Sequence, residues 1–297
     1  MANLRDIRRR IKSVKNTAQI TRAMQLVAAA KMKKAQDQAI AGRDYANQLN
    51  QVLLNLKENV EEESHPLLQS REGHRELMLV ISTDKGLCGA LNTNLLKKVR
   101  SESGTETHYV TVGRKLRGIL AKMGKEMLAD FEVKDPVPFS EARPISRLLT
   151  KQFLDGHYDK ISIAFNNFVT VMNQEPTIIQ LLPLSSEKVG EKQGYEDANI
   201  KAVETDKSAA LSKDYLFEPS PMQVLDTLLP LYINFQVYQT LVEARASEHS
   251  ARMVAMKAAT DNAKKFIKEL TLEYNKARQA AITSELLEIT TAMKAME

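Results

Sequence analysis

All eleven glycines of this 297-residue chain lie between Gly42 and Gly194, and all nine prolines lie between Pro66 and Pro230. Residues 231–297 therefore contain neither breaker, and residues 1–65 contain Gly42 alone. Gly and Pro punctuate helices more strongly than any other residues, so each end of the chain is expected to form one very long helix. At 1.5 Å of rise per residue, the N-terminal stretch would reach roughly 90 Å and the C-terminal one roughly 100 Å. A typical helix has only about 11–12 residues. Rods of that length cannot be enclosed by a compact domain of this size, so they are expected to stand out from one.

The N-terminal stretch carries a regular stripe. Steps alternating between three and four lead from Leu4 through Ile7, Ile11, Val14, Ala18, Thr21, Gln25, Ala28, Met32, Ala35, Ala39, Gly42, Ala46, Leu49, Leu53 and Leu56 to Val60. Only Thr21, Gln25 and Gly42 break its apolar character. A seven-residue repeat held this long implies a left-handed coiled coil, and the small residues at its centre let the partner helix approach closely. The expected partner is the C-terminal helix, through Ala251, Ala255, Ala258, Ala277, Ala280, Ala281 and Leu287, with Phe266, Ile267 and Leu270 between them. The chain must then fold back on itself, giving an antiparallel pair.

The middle reads as α/β. Leu77 to Thr83 is a continuous apolar run suited to a strand buried on both faces. Further strands are expected at Thr107 to Val112, Lys160 to Phe165 and Thr177 to Leu182, and helices at Ala90 to Val99, Arg114 to Met123 and Ala142 to Leu154. Alternating strands and helices point to a Rossmann-like, mostly parallel sheet. Residues 185–213 turn polar and are expected to be an irregular or mobile connection. The expected fold class is α/β with long helices, divided into 1–65 (coiled-coil helix), 73–218 (α/β domain) and 219–297 (coiled-coil helix).

Catalytic signatures are missing. Ser82 to Gly89 (STDKGLCG) follows the first strand, where open sheets often bind ligands. It matches neither glycine spacing that cradles phosphate, and a tight turn packing sheet against helix is the favoured reading. The single cysteine, Cys88, excludes a disulfide framework and reads as a buried structural thiol. Five scattered histidines (65, 74, 108, 157 and 249) show no metal-ligand spacing. No catalytic residues, cofactor or metal are therefore expected. The longest apolar runs, Leu26 to Ala30 and Leu77 to Ile81, hold five residues each. A membrane span needs ~20, so a soluble, non-secreted protein is expected.

Charge is the more informative signal. Ten basic residues lie between Arg5 and Lys34, among them Arg8, Arg9, Arg10, Lys12, Lys31 and Lys33, against the single acid Asp6. Such a stripe suits an anionic surface. Nucleic acid lacks its usual interleaved aromatics here, since Tyr45 is the first aromatic of the chain. Lipid lacks bulky residues opposite the charges. An acidic protein partner remains, although a coiled-coil scaffold that binds nucleic acid or lipid through its basic rod is the alternative from another class.

Four segments carry a resemblance that spans nearly the whole length. Ile11 to Lys34 (IKSVKNTAQITRAMQLVAAAKMKK), Ser82 to Gly89, Ala246 to Asn262 (ASEHSARMVAMKAATDN) and Tyr274 to Ile289 (YNKARQAAITSELLEI) resemble, in order, segments of the γ subunits of bacterial-type F-type ATP synthases. The resemblance implies a central rotor shaft turning inside a hexamer of α and β subunits, with the α/β domain beside the ε subunit and the membrane c-ring. It implies a non-catalytic subunit, peripheral at the cytoplasmic face of the inner membrane, that binds no nucleic acid. It further implies contact of Met24 and the basic residues around it with an acidic β-subunit loop, and coupling contacts at Arg252, Arg278, Gln279 and Thr283. The sequence departs from the family at its tail, Thr290 to Glu297. It also lacks the cysteine pair of the redox-regulated chloroplast form, so thiol switching is not expected.

Overall fold

The computed structural model describes residues 4–57, 65–71, 73–104, 106–184, 218 and 220–296. The connection expected at 185–213 lies outside the described residues. Ten elements follow in order: α1 (Leu4–Lys57), β1 (Glu76–Ile81), α2 (Leu91–Glu102), β2 (Thr107–Val112), α3 (Arg114–Lys122), β3 (Met127–Phe131), α4 (Phe139–Leu154), β4 (Lys160–Phe168), β5 (Gln174–Leu182) and α5 (Pro221–Met296). Each breaker-poor end forms a single helix, of 54 and 76 residues, the first with Gly42 in it and the second starting upstream of the breaker-free stretch and containing Pro230. Contacts gather the chain into two units, Met1–Ala28 with Met253–Glu297 and Ala29–Arg252. This division cuts through both long helices, whereas the division expected from sequence followed the change of element type.

In the first unit, α1 packs along α5. Every stripe position from Leu4 to Ala28 is buried or half-buried, and of the residues between them only Met24 is not exposed. The Thr21 hydroxyl lies 2.7 Å from that of Thr260. Each hydroxyl also reaches a carbonyl of its own helix, Thr21 that of Ala18 at 3.2 Å and Thr260 that of Met256 at 2.8 Å, so either can supply the proton across the seam. A polar residue thus sits in an apolar stripe without stranding a donor. Thr21 opposite Thr260 fixes an antiparallel register, which places Val14 across from Ile267 and Ile7 across from Tyr274. The hydrogen bond from the Arg8 guanidinium to the Tyr274 hydroxyl agrees with it.

The matching stripe on α5 differs from the one expected. Its inward positions are Met256, Thr260, Ala263, Ile267, Leu270, Tyr274, Ala277 and Ala281, again in steps of three and four. Ala258, Ala280, Phe266 and Leu287 lie off the seam, with Phe266 57% and Leu287 59% exposed. Alanine occurs on several faces of this helix, so its recurrence does not specify one face. The heptad phase set by Thr260 does.

In the second unit, β1, β2, β3 and β4 run parallel and β5 pairs antiparallel with β4, giving the order β3-β2-β1-β4-β5. Successive side chains of a strand face opposite ways. Leu77, Leu79 and Ile81 accordingly join a core with α4, the first part of α5 and Ala39, Leu49 and Leu53 of α1, while Met78 and Val80 pack under α2 and α3. The edge strand β3 escaped the sequence reading, and both β5 and α4 start three residues earlier than expected.

Gly42 and Gly113 sit at close approaches of different severity. At Gly42, a Cβ would meet Gln239 Oε1 at 3.2 Å and Phe235 Cζ at 3.4 Å, which explains the gap in the apolar stripe. Gly113 has φ +91°, and a Cβ there would fall 2.2 Å from the Ser82 carbonyl oxygen. Substitutions at the two sites should diverge. Gly42→Ala removes a helix-interior glycine, worth up to about 1 kcal/mol, against contact with a movable amide, so stability should change little. Gly42→Leu should cost about 1–3 kcal/mol by overpacking. Gly113→Ala should cost about 3 kcal/mol or more, because the backbone conformation and a main-chain oxygen both exclude it. Denaturant unfolding of the full-length chain measures all three.

Candidate partner-contact surface

Doubly wound sheets offer ligands the crevice at the carboxyl ends of their parallel strands. Here that edge is taken up by the chain itself. The segment after β1 is held by its own polar side chains: Ser82 Oγ accepts from the Leu116 amide at 3.2 Å, and Asn92 Nδ2 donates to Thr83 Oγ1 at 2.8 Å. Cys88 is buried and packs with Leu91 and Ala251, with Asn92 Nδ2 3.5 Å from its sulfur. Helix α5 then lies across the strand ends. Arg245 donates to Asp84 at 2.9 Å, to Glu248 at 2.8 Å and to the Val133 carbonyl at 2.7 Å. Burial opposes the Arg245 charge, but Glu248 and Asp84 outweigh it and raise the guanidinium pKa above its ordinary value.

Arg252 belongs to the same group. Its guanidinium donates to Glu248 at 2.7 Å and faces the Lys85 and Gly86 carbonyls at 3.2–3.4 Å. The side chain expected at a partner contact is thus engaged with its own chain. Beside it, His249 Nε2 lies 3.1 Å from Asp135, near enough for an ion pair but not aligned for a hydrogen bond. Lys31 donates to the same carboxylate at 2.8 Å. His249 and Lys31 hold the Asp135 carboxyl well below the usual carboxylate range, against the opposing effect of burial. Arg245, Glu248, Asp84 and Asp135 were not singled out from sequence. The available signal was the spacing of Arg245, Glu248, His249 and Arg252, four polar residues on one helical face in a stretch free of breakers.

Other histidines have local partners. His65 Nδ1 accepts from the Leu67 amide at 3.1 Å and its Nε2 lies 3.2 Å from Asp226, while burial pushes its pKa down. His108 sits between the Tyr158 hydroxyl and Glu126, at 2.8 and 3.0 Å. Among the described residues, no group of three or more His, Cys, Asp or Glu side chains could hold a metal ion. None of the described helices is long and apolar enough to cross a membrane.

The outward surfaces of the first unit are of a different kind. Arg8, Arg9, Arg10 and Lys12 are exposed, and Met24 is half-buried on the same face as the exposed apolar side chains Ile20 and Val27, with Leu26 exposed elsewhere on the helix. The register places Leu4 opposite Ala277. Helix α5 continues from Arg278 to Met296 beyond the described end of α1. Arg278, Gln279 and Thr283 are exposed on that continuation, together with Ile282, Leu286, Ile289 and Met293. In the second unit, Lys31 and Lys33 are exposed on α1, with Lys31 tied to Asp135. Contiguous exposed apolar side chains of this size mark protein contact surfaces.

Two long paired helices with exposed apolar and basic side chains, together with a Rossmann-like body whose ligand edge is closed by one of those helices, define a long-helix assembly subunit. A family model described as ATP synthase matches residues 3–296. The ATP synthase gamma chain of Akkermansia muciniphila is 49% identical over 297 residues, covering the whole of both chains. That of Opitutus terrae is 50% identical over 292 residues, covering 98% of each. Among solved structures, a chain of the Euglena gracilis mitochondrial ATP synthase (OSCP/F1/c-ring, rotational state 3) superposes with a TM-score of 0.70 at 21% identity, covering 99% of this chain and 94% of that one. At that identity the likeness bears on the fold. The chain belongs to the ATP synthase gamma chain family.

The Asp135 pairing generates a pH prediction. A carboxyl whose folded pKa is depressed contributes stability above its unfolded value, near 3.9, and loses it as pH falls toward the folded value. Asp135→Asn should therefore cost about 1–3 kcal/mol at neutral pH, and the gap from wild type should narrow progressively as pH falls below about 4, with part of it still present at pH 2. Urea melts across that range report it. A gap that widens on acidification would contradict the pairing.

Proposed function

We propose that this chain is the central shaft of an ATP synthase, turning within a hexamer of α and β subunits and tying transmembrane proton flow to ATP synthesis and hydrolysis. The catalytic sites lie on the β subunits, and the chain itself performs no catalysis. It meets the ε subunit and the membrane c-ring and sits peripherally at the cytoplasmic face of the inner membrane. The observation that carries this reading is the last part of α5. From Arg278 onward it presents apolar side chains outward along a helix with no described α1 residue opposite, a surface that needs a surrounding protein. Similar folds in the rotor of the Euglena gracilis mitochondrial ATP synthase and in the central stalk and c-ring of the Tetrahymena thermophila one support the reading.

The mechanism follows from symmetry. One asymmetric shaft in a pseudo-threefold ring offers each β subunit a different face, so the three sites differ in conformation at any instant. Turning the shaft passes each conformation to the next site. Driving a site from 1:99 to 99:1 requires about 5.5 kcal/mol of differential contact energy. Exposed ion pairs supply only about 0.2–1 kcal/mol each, so steric contact by the apolar faces carries most of the bias. The basic residues Arg8, Arg9, Arg10, Lys12, Lys31 and Lys33 tune it. Met24, Arg278, Gln279 and Thr283 are the contact residues on the exposed surfaces, and Arg252 acts from the point where α5 crosses the loop after β1.

Deleting the chain should abolish ATP-driven proton pumping in membranes, and the tagged chain should co-isolate with α and β subunits. Failure of co-isolation would overturn the assignment. Replacing Arg8, Arg9, Arg10 and Lys12 together by Gln should leave assembly normal and coupled ATP synthesis within about an order of magnitude of wild type. Complete loss of synthesis in an assembled complex would show that charge, not steric contact, carries the bias.

A further inference from the structure

Apolar contacts are non-directional. A smooth helix lying in an apolar groove resists being pulled out of it better than being turned about its own axis. Resistance to turning needs bonds of fixed direction, and it needs them on more than one side of the helix. The segment of α5 from Arg245 to Arg252 has both.

Its first grip faces the loops after β1 and β3. Arg245, Glu248, His249 and Arg252 fall on one side of the helix, at spacings of three and four. Arg245 alone reaches both loops, through Asp84 and the Val133 carbonyl, and Glu248 braces it. The second grip lies on the other side. Ser247, ~200° around the axis from Arg245, donates to the Asn166 carbonyl at 2.8 Å, and Ser250 donates to the Val171 carbonyl at 2.7 Å. Both acceptors belong to β4 and the turn that leads to β5. Gln174 at the start of β5 adds a bond to the Ser250 hydroxyl at 3.3 Å. Turning α5 in either sense stretches one set or the other.

We infer that Arg245 to Arg252 form a two-sided rotational clamp fixing α5 to the α/β body, with Arg245 as the positioning residue of one side and Ser247 with Ser250 as the other. The clamp makes the sheet and the long helix turn as one piece, so that torque on the body reaches the helix without slip. It rests on the shaft reading above. It goes beyond that reading in assigning torque transfer to named bonds within the chain, at the edge where related folds bind ligands.

The test uses the assembled ATP synthase in inverted membrane vesicles and reads protons pumped per ATP hydrolysed. Arg245→Gln should lower that ratio by about twofold or more at unchanged subunit stoichiometry, with ATP hydrolysis by the detached soluble sector close to wild type. Arg245→Lys, which keeps the charge and loses the fork, should fall between. Arg245→Gln strands buried carboxylates, so the Ser247→Ala/Ser250→Ala pair, which strands no charge, is measured beside it. That pair should lower the same ratio, and adding Arg245→Lys to it should lower the ratio further. A wild-type ratio in the assembled serine pair would overturn the clamp. Absence of the chain from the isolated complex would instead overturn the shaft reading.

Discussion

The structure depends on how closely two helices can approach when the residues between them are small. From Ala18 to Gln25 the seam is Ala, Thr and Gln, and α5 answers there with Ala263, Thr260 and Met256, while larger pairs such as Val14 with Ile267 and Ile7 with Tyr274 continue it toward the start of α1. Small side chains bury little apolar area each, so attraction must come from many layers at short range. This explains the stripe's persistence over the first unit and its tolerance of a hydroxyl pair at Thr21 and Thr260. In the second unit the same principle appears at Gly42, where the absence of a side chain admits Phe235 and Gln239.

The long helices were legible because their signal is negative and cumulative. Apart from Gly42, breakers are absent over residues 1–65 and 231–297, and a seven-residue period recurs there. The burial of α1 follows the expected stripe from Leu4 to Gly42 and again at Leu49 and Leu53. The seam on α5 was not legible from alanine content. Ala258 and Ala280 resemble Ala263 and Ala277 in composition, and only the phase set by a partner separates them. Strand β3 was hidden for a related reason. Met127 to Phe131 is an edge strand whose residues are mostly exposed or half-exposed, so it lacks the apolar run that marked β1. The charged group around Arg245 was hidden because a sequence does not show which loops a helix will cross.

The closed edge of the sheet connects fold to function. In a doubly wound enzyme the carboxyl ends of the strands stay open to a substrate. Here Ser82, Asn92 and Gly113 spend their polar groups and backbone freedom on packing the loop after β1 down, and α5 covers what remains. Arg252 illustrates the outcome: its sequence context resembles a partner contact, yet its guanidinium is already bound to Glu248 and the loop carbonyls. Any contribution of Arg252 to partner contact therefore passes through the position of that loop and of α5.

The central claim is that α1 and α5 pair antiparallel in the register set by Thr21 and Thr260. Cross-linking tests it most directly, because a disulfide forms only when the two Cα atoms lie within about 7 Å and the native Cys88 is buried. In the assembled complex, Thr21→Cys/Thr260→Cys should oxidise readily to an intramolecular disulfide, whereas Thr21→Cys/Lys264→Cys, about one helical turn out of register, should not. Equal cross-linking of both pairs, or none by the first, would contradict the register and with it the paired-helix shaft.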